Sequence, residues 1–366
     1  MNSSRQQTRV AVIGAGMAGA ACARALSASG HAVHVFDKSR GPGGRLATRR
    51  VEWIDAAGQP RTARLDHGAP AFTAHSPSLR WFAGAAVEAG WLARWAPVSA
   101  ASAQSLPPAD SGPHFVPVPD MPSLCRHLLD GCSATWACRV DRLQCGSRGW
   151  QLHSQGALLA DGFDAVAIAL PPAQAAPLLA PHHRDWAQRA ALALMQPCWT
   201  LMGVAHAPRQ ALDWDIARPA HGPLARVARN ESRPGRDAPA DERHWIVHAR
   251  AAWSREHLER EPEWVRLQMQ AALDAWLGEP VAWQHAVVHR WRYAMPLSAT
   301  HAPSGQCWWD PRLGLGVCGD FLGHAGVEGA WLSARALAQA LAAERPHGAA
   351  FAARAATDRT AQQLAA

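Results

Sequence analysis

Three closely spaced glycines near the start of the chain constrain its fold more than any other feature. Gly14, Gly16 and Gly19 lie between a short β-branched run and an alanine-rich run. Where a strand turns into a helix in this way, the first glycine permits a tight turn, the second lets the backbone approach a pyrophosphate, and the third lets the helix pack on the strand. The N–H groups at the start of the helix then face the phosphates. The motif predicts a dinucleotide-binding turn that includes Met17 and Ala18.

The sequence on either side of these glycines predicts a βαβ unit. A strand, a helix and a second strand are predicted at Thr8–Ile13, Met17–Ser29 and His31–Phe36. Asp37 ends the second strand about 20 residues after the motif, where a carboxylate typically binds ribose hydroxyls. Glycines also serve ordinary turns, but this combination of strand, helix and carboxylate favours a nucleotide site. Either NAD or FAD would fit the first motif.

A second glycine motif decides between the two cofactors. Asp37 and Lys38 are followed by Gly43, Gly44 and Arg45. A Gly-Gly turn before an arginine offers close backbone approach and a cation for a second stretch of phosphate. An extended FAD needs these contacts and a nicotinamide dehydrogenase does not, whereas a surface turn with a solvated arginine is the alternative. We predict FAD, bound non-covalently, with Lys38, Gly44 and Arg45 among its contacts.

The pattern of apolar and turn-forming residues in the rest of the chain predicts a mixture of strands and helices. The predicted elements are a loop at Pro97–Pro119, strands with turns at Gly146–Gly149 and Asp161–Gly162 between Cys138 and Leu170, a helix at Glu263–Leu277, a strand at Gly314–Asp320 and a helix at Val327–Leu341. Residues 346–366 lack a clear apolar stripe and are expected to fray.

Composition excludes several classes of function. The chain has 366 residues, 48% of them apolar, and is long enough for two joined domains. Its net charge is +7, but the arginines are spread along the chain without a dense basic run, so no nucleic-acid partner is expected. The 8 cysteines form no CxxC pair and the 19 histidines no HExxH motif, so we expect reduced thiols and no metal.

The sequence also gives an expectation for location. No stretch is long and apolar enough to span a bilayer, and the first residues lack the apolar run of a secretory signal. We therefore expect a cytoplasmic protein without a membrane partner. The oligomeric state is left open by the sequence.

The glycine motifs and several later segments together resemble the renalase-like flavoproteins, which belong to the flavin-containing amine oxidase group. The segments are VAVIGAGMAGAACARAL (Val10–Leu26), FDKSRGPGGRLATRR (Phe36–Arg50), LDHGAPAFTA (Leu65–Ala74), MPSLCRHL (Met121–Leu128), FDAVAIALPPAQAAPLL (Phe163–Leu179), RNESRPGR (Arg229–Arg236), WIVHARAAWSREHLE (Trp245–Glu259), HRWRYAMP (His289–Pro296) and GVCGDFLGHAGVEGAWLSARALA (Gly316–Ala338). The resemblance spans nearly the whole chain. It implies an α/β fold of the p-hydroxybenzoate hydroxylase type, with a Rossmann-type FAD-binding domain and an inserted α+β substrate domain. The implied FAD-binding domain comprises residues 1–75, 131–180 and 297–345, and the substrate domain residues 76–130 and 181–296.

The resemblance implies further cofactor contacts. Val140 would meet the adenine through its backbone, and Asp320 would bind the ribityl or phosphate part, although a turn that caps the next helix is the alternative for Asp320. That helix, with Val327 and Glu328 in its first turn, would point its positive end at the flavin N1–C2=O region. A final set would run beside the flavin, namely Gly68, Ala69, Pro70 and Ala71. Relatives carry glutamine and an aromatic residue where this chain has Pro70 and Ala71, so the consequence for the substrate stays open.

The resemblance also places four residues on the substrate side: Asn230, His248, Trp291 and Tyr293. For His248, a hydrogen-bonded histidine within a strand is an equal alternative. Trp291 and Tyr293 lie two apart on a predicted strand and so share one face. They form either part of the core or one wall of an aromatic slot.

Three functions compete at this point. A renalase-like oxidase would take a hydride from an isomer of NAD(P)H and pass electrons to O2, giving hydrogen peroxide, and it requires no acid–base residue. An amine oxidase of the group typically has a lysine that holds a water at flavin N5, but the one lysine of this chain, Lys38, follows Asp37 and is expected near the adenosine. A non-catalytic dinucleotide-binding module would not need a substrate domain. We predict the renalase-like oxidase, with the amine oxidase as the alternative.

Overall fold

The computed structural model describes residues 7–101, 113–208, 212–297 and 306–344. The strands within these ranges are β1 (Arg9–Ile13), β2 (Ala32–Phe36), β3 (Arg49–Ile54), β4 (Pro60–Leu65), β5 (Leu92–Trp95), β6 (His114–Pro117), β7 (Ser133–Thr135), β8 (Arg142–Gly146), β9 (Gly149–Ser154), β10 (Ala157–Phe163), β11 (Ala165–Ile168), β12 (Met195–His206), β13 (Ile216–Ala217), β14 (Leu224–Arg229), β15 (Glu242–Ala249), β16 (Trp283–Pro296), β17 (Trp308–Asp310) and β18 (Leu315–Val317). The helices are α1 (Met17–Ala28), α2 (Pro77–Glu88), α3 (Ser123–Leu128), α4 (Pro172–Leu179), α5 (Arg184–Leu192), α6 (Ala251–Glu256), α7 (Pro262–Leu277) and α8 (Gly326–Ala343).

The described residues form two compact units. The first comprises those of Met1–Gly44, Cys125–Leu194 and Pro296–Ala366, and the second those of Arg45–Leu124 and Met195–Met295. This division places residues 45–75 in the second unit, whereas the sequence assigned them to the FAD-binding domain. Since a functional domain need not coincide with a unit defined by compactness, the predicted domain boundaries stay a prediction.

A six-stranded sheet in the order β17-β18-β11-β1-β2-β7 forms the centre of the first unit. β1 pairs in parallel with β2 and β11, β2 with β7, and β11 with β18, while β17 is antiparallel to β18. Four of the five residues of β1 and all four of β11 are buried, as expected for parallel strands covered on both faces. The helices α1 and α8 pack against each other, which places both of their N-terminal turns in the same unit as the sheet.

A smaller antiparallel sheet in the order β10-β9-β8 completes the first unit. Trp150 in β9 is fully buried, and its indole N–H donates to the carbonyl of Leu313 at 2.8 Å. Phe36, Ile168 and Val317 lie in the same apolar cluster. The core of the first unit therefore joins residues from the beginning, the middle and the end of the chain.

The second unit is built on a five-stranded antiparallel sheet in the order β13-β14-β15-β12-β16. Val227 and Val247 on one face share an apolar cluster with Val265, Met269 and Leu273 of α7. The other face packs on two hairpins through clusters that include residues of β3, β4, β5 and β6. Polar residues on this second face, described below, lie between the sheet and the segment that follows β4.

The predicted fold class is confirmed: the chain has an α/β fold with a Rossmann-type unit, and the other unit mixes helices with antiparallel sheets. The first βαβ unit and α7 lie within a residue or two of their predicted positions. No helix in the described ranges has the length and apolar character that a transmembrane segment requires. The predicted tail at 346–366 lies outside the described residues.

Three local predictions were wrong. Asp161 and Gly162 lie within β10, where the register against β9 is irregular, and the hairpin turn is at Gln155 and Gly156 instead. The predicted loop at Pro97–Pro119 contains strand β6, although its residues 102–112 are not described. The predicted strand at Gly314–Asp320 ends at Val317, because Asp320 begins a 3-10 turn.

Glycine at position 203 in β12 offers a test of the packing in the second unit. A Cβ there would lie 2.3 Å from the carbonyl oxygen of His285 and 2.7 Å from the Trp283 ring. We expect Gly203→Ala to lower the free energy of unfolding by about 2–3 kcal/mol, since overpacking forces backbone to move. Gly84→Ala is the control, because this helical position has open space and should gain about 0.5–1 kcal/mol. Urea unfolding of both variants measures the difference, and an unaffected Gly203→Ala would contradict the described packing.

Candidate functional site

The turn between β1 and α1 leaves no space for side chains at two of its three glycines. Gly14 has a φ of +105°, and a Cβ there would lie 2.5 Å from the carbonyl oxygen of Ala169. A Cβ on Gly19 would lie 1.8 Å from the carbonyl oxygen of Gly14. At Gly16, by contrast, the nearest atoms would be 3.8 Å away, on Gly44. Packing therefore requires glycine at 14 and 19, whereas folding alone does not require it at 16.

The N-terminus of α1 has no side-chain cap. Gly16 is the N-cap residue, and no side chain accepts a hydrogen bond from the first turn. Ala20 is the first residue whose N–H bonds back, to the Gly16 carbonyl at 2.9 Å. The N–H groups of Met17, Ala18 and Gly19 precede it and have no acceptor within the helix. Such a helix end is suited to an anion, because its N–H groups and dipole both favour negative charge.

Asp37 holds this turn in place. Its Oδ2 accepts the N–H of Ala15 at 2.6 Å, and its Oδ1 accepts the N–H of Ser39 at 2.7 Å. Asp37 was predicted to bind ribose hydroxyls, and the bonds from both of its oxygens to the backbone were not predicted. Each carboxylate oxygen has a second lone pair, so the ribose contact stays a compatible prediction.

The second glycine motif lies directly against the first. The N–H of Gly43 donates to the carbonyl of Ala15 at 2.9 Å, and Gly16 and Gly43 form an isolated parallel bridge. Gly44 has a φ of +57°, and a Cβ there would lie 3.1 Å from the Gly16 Cα. The structure thus brings together the predicted cofactor residues Gly14, Gly16, Gly19, Asp37 and Gly44 around the start of α1.

Three other predicted cofactor residues of the first unit, Lys38, Val140 and Asp320, each have contacts within that unit. Lys38 Nζ lies 3.4 Å from Gln174 Oε1, and Val140 is buried in the apolar core just before β8. Asp320 is buried, and its Oδ2 accepts the N–H of Gly326 at 3.1 Å. Asp320 therefore holds the turn before α8, which was the alternative considered for this residue. The contact of Asp320 with a cofactor stays a prediction.

The first turn of α8 contains Val327 and Glu328. Its N-cap residue, Ala325, has no capping side chain, and the Asp320 carboxylate accepts the N–H of the first helical residue, Gly326. Gly329, which follows Glu328, was not among the predicted residues. A Cβ on Gly329 would lie 1.4 Å from the His324 carbonyl oxygen. Its signal was a glycine inside a helical pattern, and its physical role is to let the loop before α8 lie against the helix.

In the second unit, the predicted flavin-side segment is fixed by backbone contacts with Arg45. The N–H of Ala69 donates to the Arg45 carbonyl at 2.8 Å, and a Cβ on Gly68 would lie 2.1 Å from the same oxygen. The Arg45 guanidinium donates to the carbonyl of Ala294 at 3.1 Å. Two more of the predicted residues, Pro70 and Ala71, are partly buried, and Ala71 packs on the cluster around Trp95.

Asn230 is fully buried, and its amide is occupied by structural hydrogen bonds. Its Oδ1 accepts the N–H of Asp66 at 3.1 Å and Nη1 of Arg233 at 2.7 Å, while its Nδ2 donates to the Arg64 carbonyl at 3.1 Å. These bonds hold the segment after β4 against the end of β14. Its predicted place on the substrate side stays a prediction, and the observed contacts are those of a scaffold.

His248 and His67 form a second buried polar group. His248 Nε2 lies 3.0 Å from the Gly68 carbonyl and donates to it, which leaves Nδ1 buried without a partner. Burial, and next the charge of Arg226, lowers the pKa of His248 to about 4. Burial, and next His289, lowers the pKa of His67 to about 3. Both imidazoles are therefore neutral near neutral pH and are weak bases.

Trp291 lies beside His67. The two rings stack with centroids 5.2 Å apart and planes at 25°, and the Trp291 indole N–H donates to the His67 carbonyl at 3.0 Å. Strand β16 carries Tyr293 two residues later, so the two aromatic side chains share a face, as predicted. Both are partly buried. One side of the Trp291 ring is therefore used for packing within the unit.

A cluster of buried charged side chains near these residues was not predicted from the sequence. Asp66 accepts Nε of Arg236 at 2.8 Å and the hydroxyl of Thr48 at 2.5 Å, and its Oδ2 lies 3.7 Å from Nη1 of Arg233. Arg226 in β14 faces the same region. The sequence signals were two segments of the resemblance, LDHGAPAFTA with Asp66 and RNESRPGR with Arg233 and Arg236, but the resemblance implied no function for these three residues. Among the described residues, no group of histidine, cysteine, aspartate and glutamate side chains could hold a metal ion.

Comparisons with known proteins agree with this architecture. Residues 12–85 match the NAD(P)-binding Rossmann-like domain family. The fold is similar to a structure assigned to a protoporphyrinogen oxidase from Exiguobacterium sp. 255-15, with a TM-score of 0.69, 10% identity, and coverage of 92% of this chain and 99% of that chain. It is also similar to a putrescine oxidase variant from a redesign of cofactor binding (TM-score 0.59, 13% identity, 92% and 98% covered) and to cyclohexylamine oxidase from Brevibacterium oxydans IH-35A (TM-score 0.54, 14% identity, 92% and 99% covered). At these identities the likeness establishes a shared fold with a Rossmann-type nucleotide-binding unit.

The depressed histidine pKa values predict how stability changes with pH. An unfolded histidine takes up a proton near its ordinary pKa of 6.5, whereas His248 in the folded chain does so near 4. The folded state therefore loses stability as pH falls through this window, by up to ~1.4 kcal/mol per pH unit. We expect His248→Gln, whose amide can still donate to Gly68, to reduce that slope. Urea unfolding across the window measures it, with the exposed His206→Gln as control; equal slopes for His248→Gln and the wild type would refute the depressed pKa.

Proposed function

We propose that this protein is an FAD-dependent oxidoreductase, and specifically a renalase-like oxidase of dihydronicotinamides. One observation carries the cofactor assignment. Position 16 has room for a side chain and yet holds glycine, at an uncapped helix start where a second Gly-Gly loop lies against the first. A glycine that folding does not require is explained by a ligand that needs the space. A pyrophosphate is the group that fits, because it is anionic and needs close backbone approach.

Several residues of the first unit would hold the cofactor. The N–H groups at the start of α1 would bind the pyrophosphate, Asp37 would bind the ribose hydroxyls, and the start of α8 at Val327 would favour negative charge on the ring. When bound, FAD supplies the hydride acceptor and the route of electrons to O2. We propose non-covalent binding. In support, Cys318 is fully buried, and a hydrogen bond with Cys22 together with burial raises its pKa well above the ordinary value, so it stays a thiol.

The proposed reaction is balanced without a catalytic base. A dihydronicotinamide isomer gives up a hydride, and with O2 and one proton the products are NAD(P)+ and hydrogen peroxide. Formation of the aromatic nicotinamide drives the hydride loss. The buried histidines of the second unit are consistent with this chemistry, since the low pKa values of His67 and His248 make both poor proton acceptors. Trp291 and Tyr293 would contribute aromatic surface for a planar ring.

A flavin-containing amine oxidase is the second candidate, because two of the similar structures are a putrescine oxidase and a cyclohexylamine oxidase. Members of that group typically use a lysine to hold a water at flavin N5. The only lysine of this chain, Lys38, follows Asp37, the proposed ligand of the ribose hydroxyls. It lies beside Gln174 in the first unit. This placement favours the dihydronicotinamide oxidase. We propose a cytoplasmic enzyme that acts on a small molecule and O2.

The cofactor assignment is tested by Gly16→Val. A Cβ at this position has space in the folded chain, but a valine side chain would occupy the approach of the pyrophosphate, so we expect flavin content to fall to near zero. Without cofactor we expect a loss of only about 1 kcal/mol of stability, because valine is a poorer N-cap residue than glycine. Gly41→Val is the control, because a Cβ at this position, in the loop that carries Gly43 and Gly44, meets nothing within 4 Å. Flavin is measured by visible absorbance after heat release into the supernatant. A Gly16→Val protein with full flavin content would show that the cofactor lies elsewhere, and yellow colour retained in the pellet would contradict non-covalent binding.

The substrate assignment is tested by anaerobic stopped-flow absorbance at the oxidised flavin band. Dihydronicotinamide isomers, including 2- and 6-dihydro forms, should bleach the flavin quickly, since they release hydride without deprotonation. Simple primary amines should do so slowly or not at all. Trp291→Ala and Tyr293→Ala should weaken substrate binding more than they change flavin content. Rapid bleaching by an amine, with no response to any dihydronicotinamide, would instead establish the amine oxidase.

A further inference from the structure

We propose that Arg226 and Arg233, with His248 beside them, form a subsite for an oxyanion, a carboxylate or phosphate carried by the substrate. The identification of the ligand as substrate rests on the proposed function. The subsite itself rests on the geometry of the second unit.

The strand register brings Arg226 and His248 together, and the charge of Arg233, which follows β14, acts on both of them. Arg226 in β14 is paired with His248 in β15, and His248 is paired with Thr200 in β12. Residues paired across neighbouring strands project from the same face of a sheet. Three polar side chains therefore form a row across the sheet, on the face opposite the one where Val227 and Val247 pack on α7. A row of polar groups on the inner face of a sheet is unusual unless it has partners.

The two arginines carry donors that nothing in the described chain satisfies. Nε and Nη2 of both Arg226 and Arg233 are shielded from solvent and have no hydrogen-bond partner among the described residues. Arg233 is 1% exposed, and its Nη1 donates to Asn230 while its guanidinium lies 5.4 Å from the Trp95 ring. Buried cationic donors without acceptors are costly, so a native structure normally provides them with a partner.

The carboxylates near this site also contact other groups. Asp66 accepts Nε of Arg236 at 2.8 Å and is 3.7 Å from Arg233. Glu231 Oε2 accepts the N–H of His244 at 3.1 Å, and its Oε1, which has no hydrogen-bond partner among the described residues, lies 3.8 Å from Nε of Arg243. The negative charge of the surrounding chain is therefore shared among several cations.

The lowered pKa of Arg226 is consistent with a site that has more buried positive than negative charge. Burial, and then the charges of Arg233 and Arg218, lowers the pKa of Arg226 to about 10. Arg226 nevertheless stays protonated near neutral pH. His248 stays neutral, so it does not compete for an anion, and its Nδ1 can accept a hydrogen bond from a protonated oxygen of the ligand or from a water.

The chemistry of these groups selects a class of ligand. Two guanidinium groups present planar forks of N–H donors, which match carboxylate and phosphate oxygens. An ammonium group placed here would be repelled by both arginines. A substrate that carries an acidic group, such as the phosphates of a nicotinamide nucleotide, fits the subsite, whereas an amine without an acidic group does not.

Thermal unfolding of the purified full chain in rising concentrations of inorganic phosphate or acetate, with chloride at equal ionic strength as control, tests the subsite. We expect a saturable rise in midpoint with the oxyanion and none with chloride. The anion that raises the midpoint at the lower concentration, phosphate or acetate, identifies the preferred group. The N-terminus of α1 is also suited to phosphate. The test therefore compares the oxyanion response of the wild type with that of Arg226→Met. Arg226→Met should weaken the apparent affinity roughly 10- to 100-fold, as expected for loss of a charge-assisted bond.

A control and a second readout separate binding from folding. Arg94→Gln, at an exposed position of β5, should respond as the wild type does. Without oxyanion, Arg226→Met should keep or raise the midpoint, because it removes a buried charge that lacks a partner. If it does not fold, Arg226→Lys keeps the charge, loses the fork and should bind more weakly than wild type. An Arg226→Met protein that responds to oxyanion as the wild type does, or a wild type without a saturable response, would overturn the subsite.

The outcome for the subsite is distinguishable from that for the proposed function. A protein that purifies without flavin and still shows Arg226-dependent oxyanion binding would overturn the oxidase and support the subsite. A flavoprotein that lacks the Arg226-dependent response would overturn the subsite and support the cofactor assignment.

Discussion

The first unit depends on the contact between backbones at the turn from β1 to α1. The carbonyl oxygen of Gly14 lies where a Cβ of Gly19 would be, and the carbonyl of Ala169 lies against Gly14. These contacts bring the first strand, the first helix and the segment after β11 closer together than any side chain would allow. Asp37 then fixes the turn by accepting the N–H groups of Ala15 and Ser39. The start of α1 has no side-chain cap because its N-cap residue, Gly16, has no side chain, although the packing would leave room for a Cβ there.

The elements that the sequence predicted correctly are those set by local chemistry. Gly14, Gly19 and the run of buried residues in β1 act over a few positions, so the pattern is visible in a single stretch of sequence. The hairpin of β9 and β10 shows the limit of this reasoning. Asp161-Gly162 has the composition of a turn, but the pairing of β10 with β9 places both residues inside an irregular strand. Pairing with a neighbouring strand outweighed the local preference.

The buried charges of the second unit could not have been predicted from spacing. Asp66 and Arg236 are separated by 170 positions, and Trp291 and His67 by 224. No periodicity relates such residues, and an arginine in a strand pattern is ordinarily read as solvent-exposed. The candidate residue Asn230 shows the converse. The resemblance implied that Asn230 lies on the substrate side. Its hydrogen bonds to Asp66, Arg233 and Arg64, which hold the backbone in place, are visible only in the three-dimensional structure.

Lys38 gives the molecule an experimental property of its own. Because no other lysine occurs in the sequence, a reagent selective for lysine side chains can modify the chain at one place, and a lysine-specific protease can cut it only between Lys38 and Ser39. That bond follows Asp37, whose carboxylate binds the N–H of Ser39 and ties the loop to the glycine turn. Cleavage requires this loop to leave its position, since a protease must accept the chain in an extended form. The rate of a single cut thus reports how often this loop separates from the turn between β1 and α1.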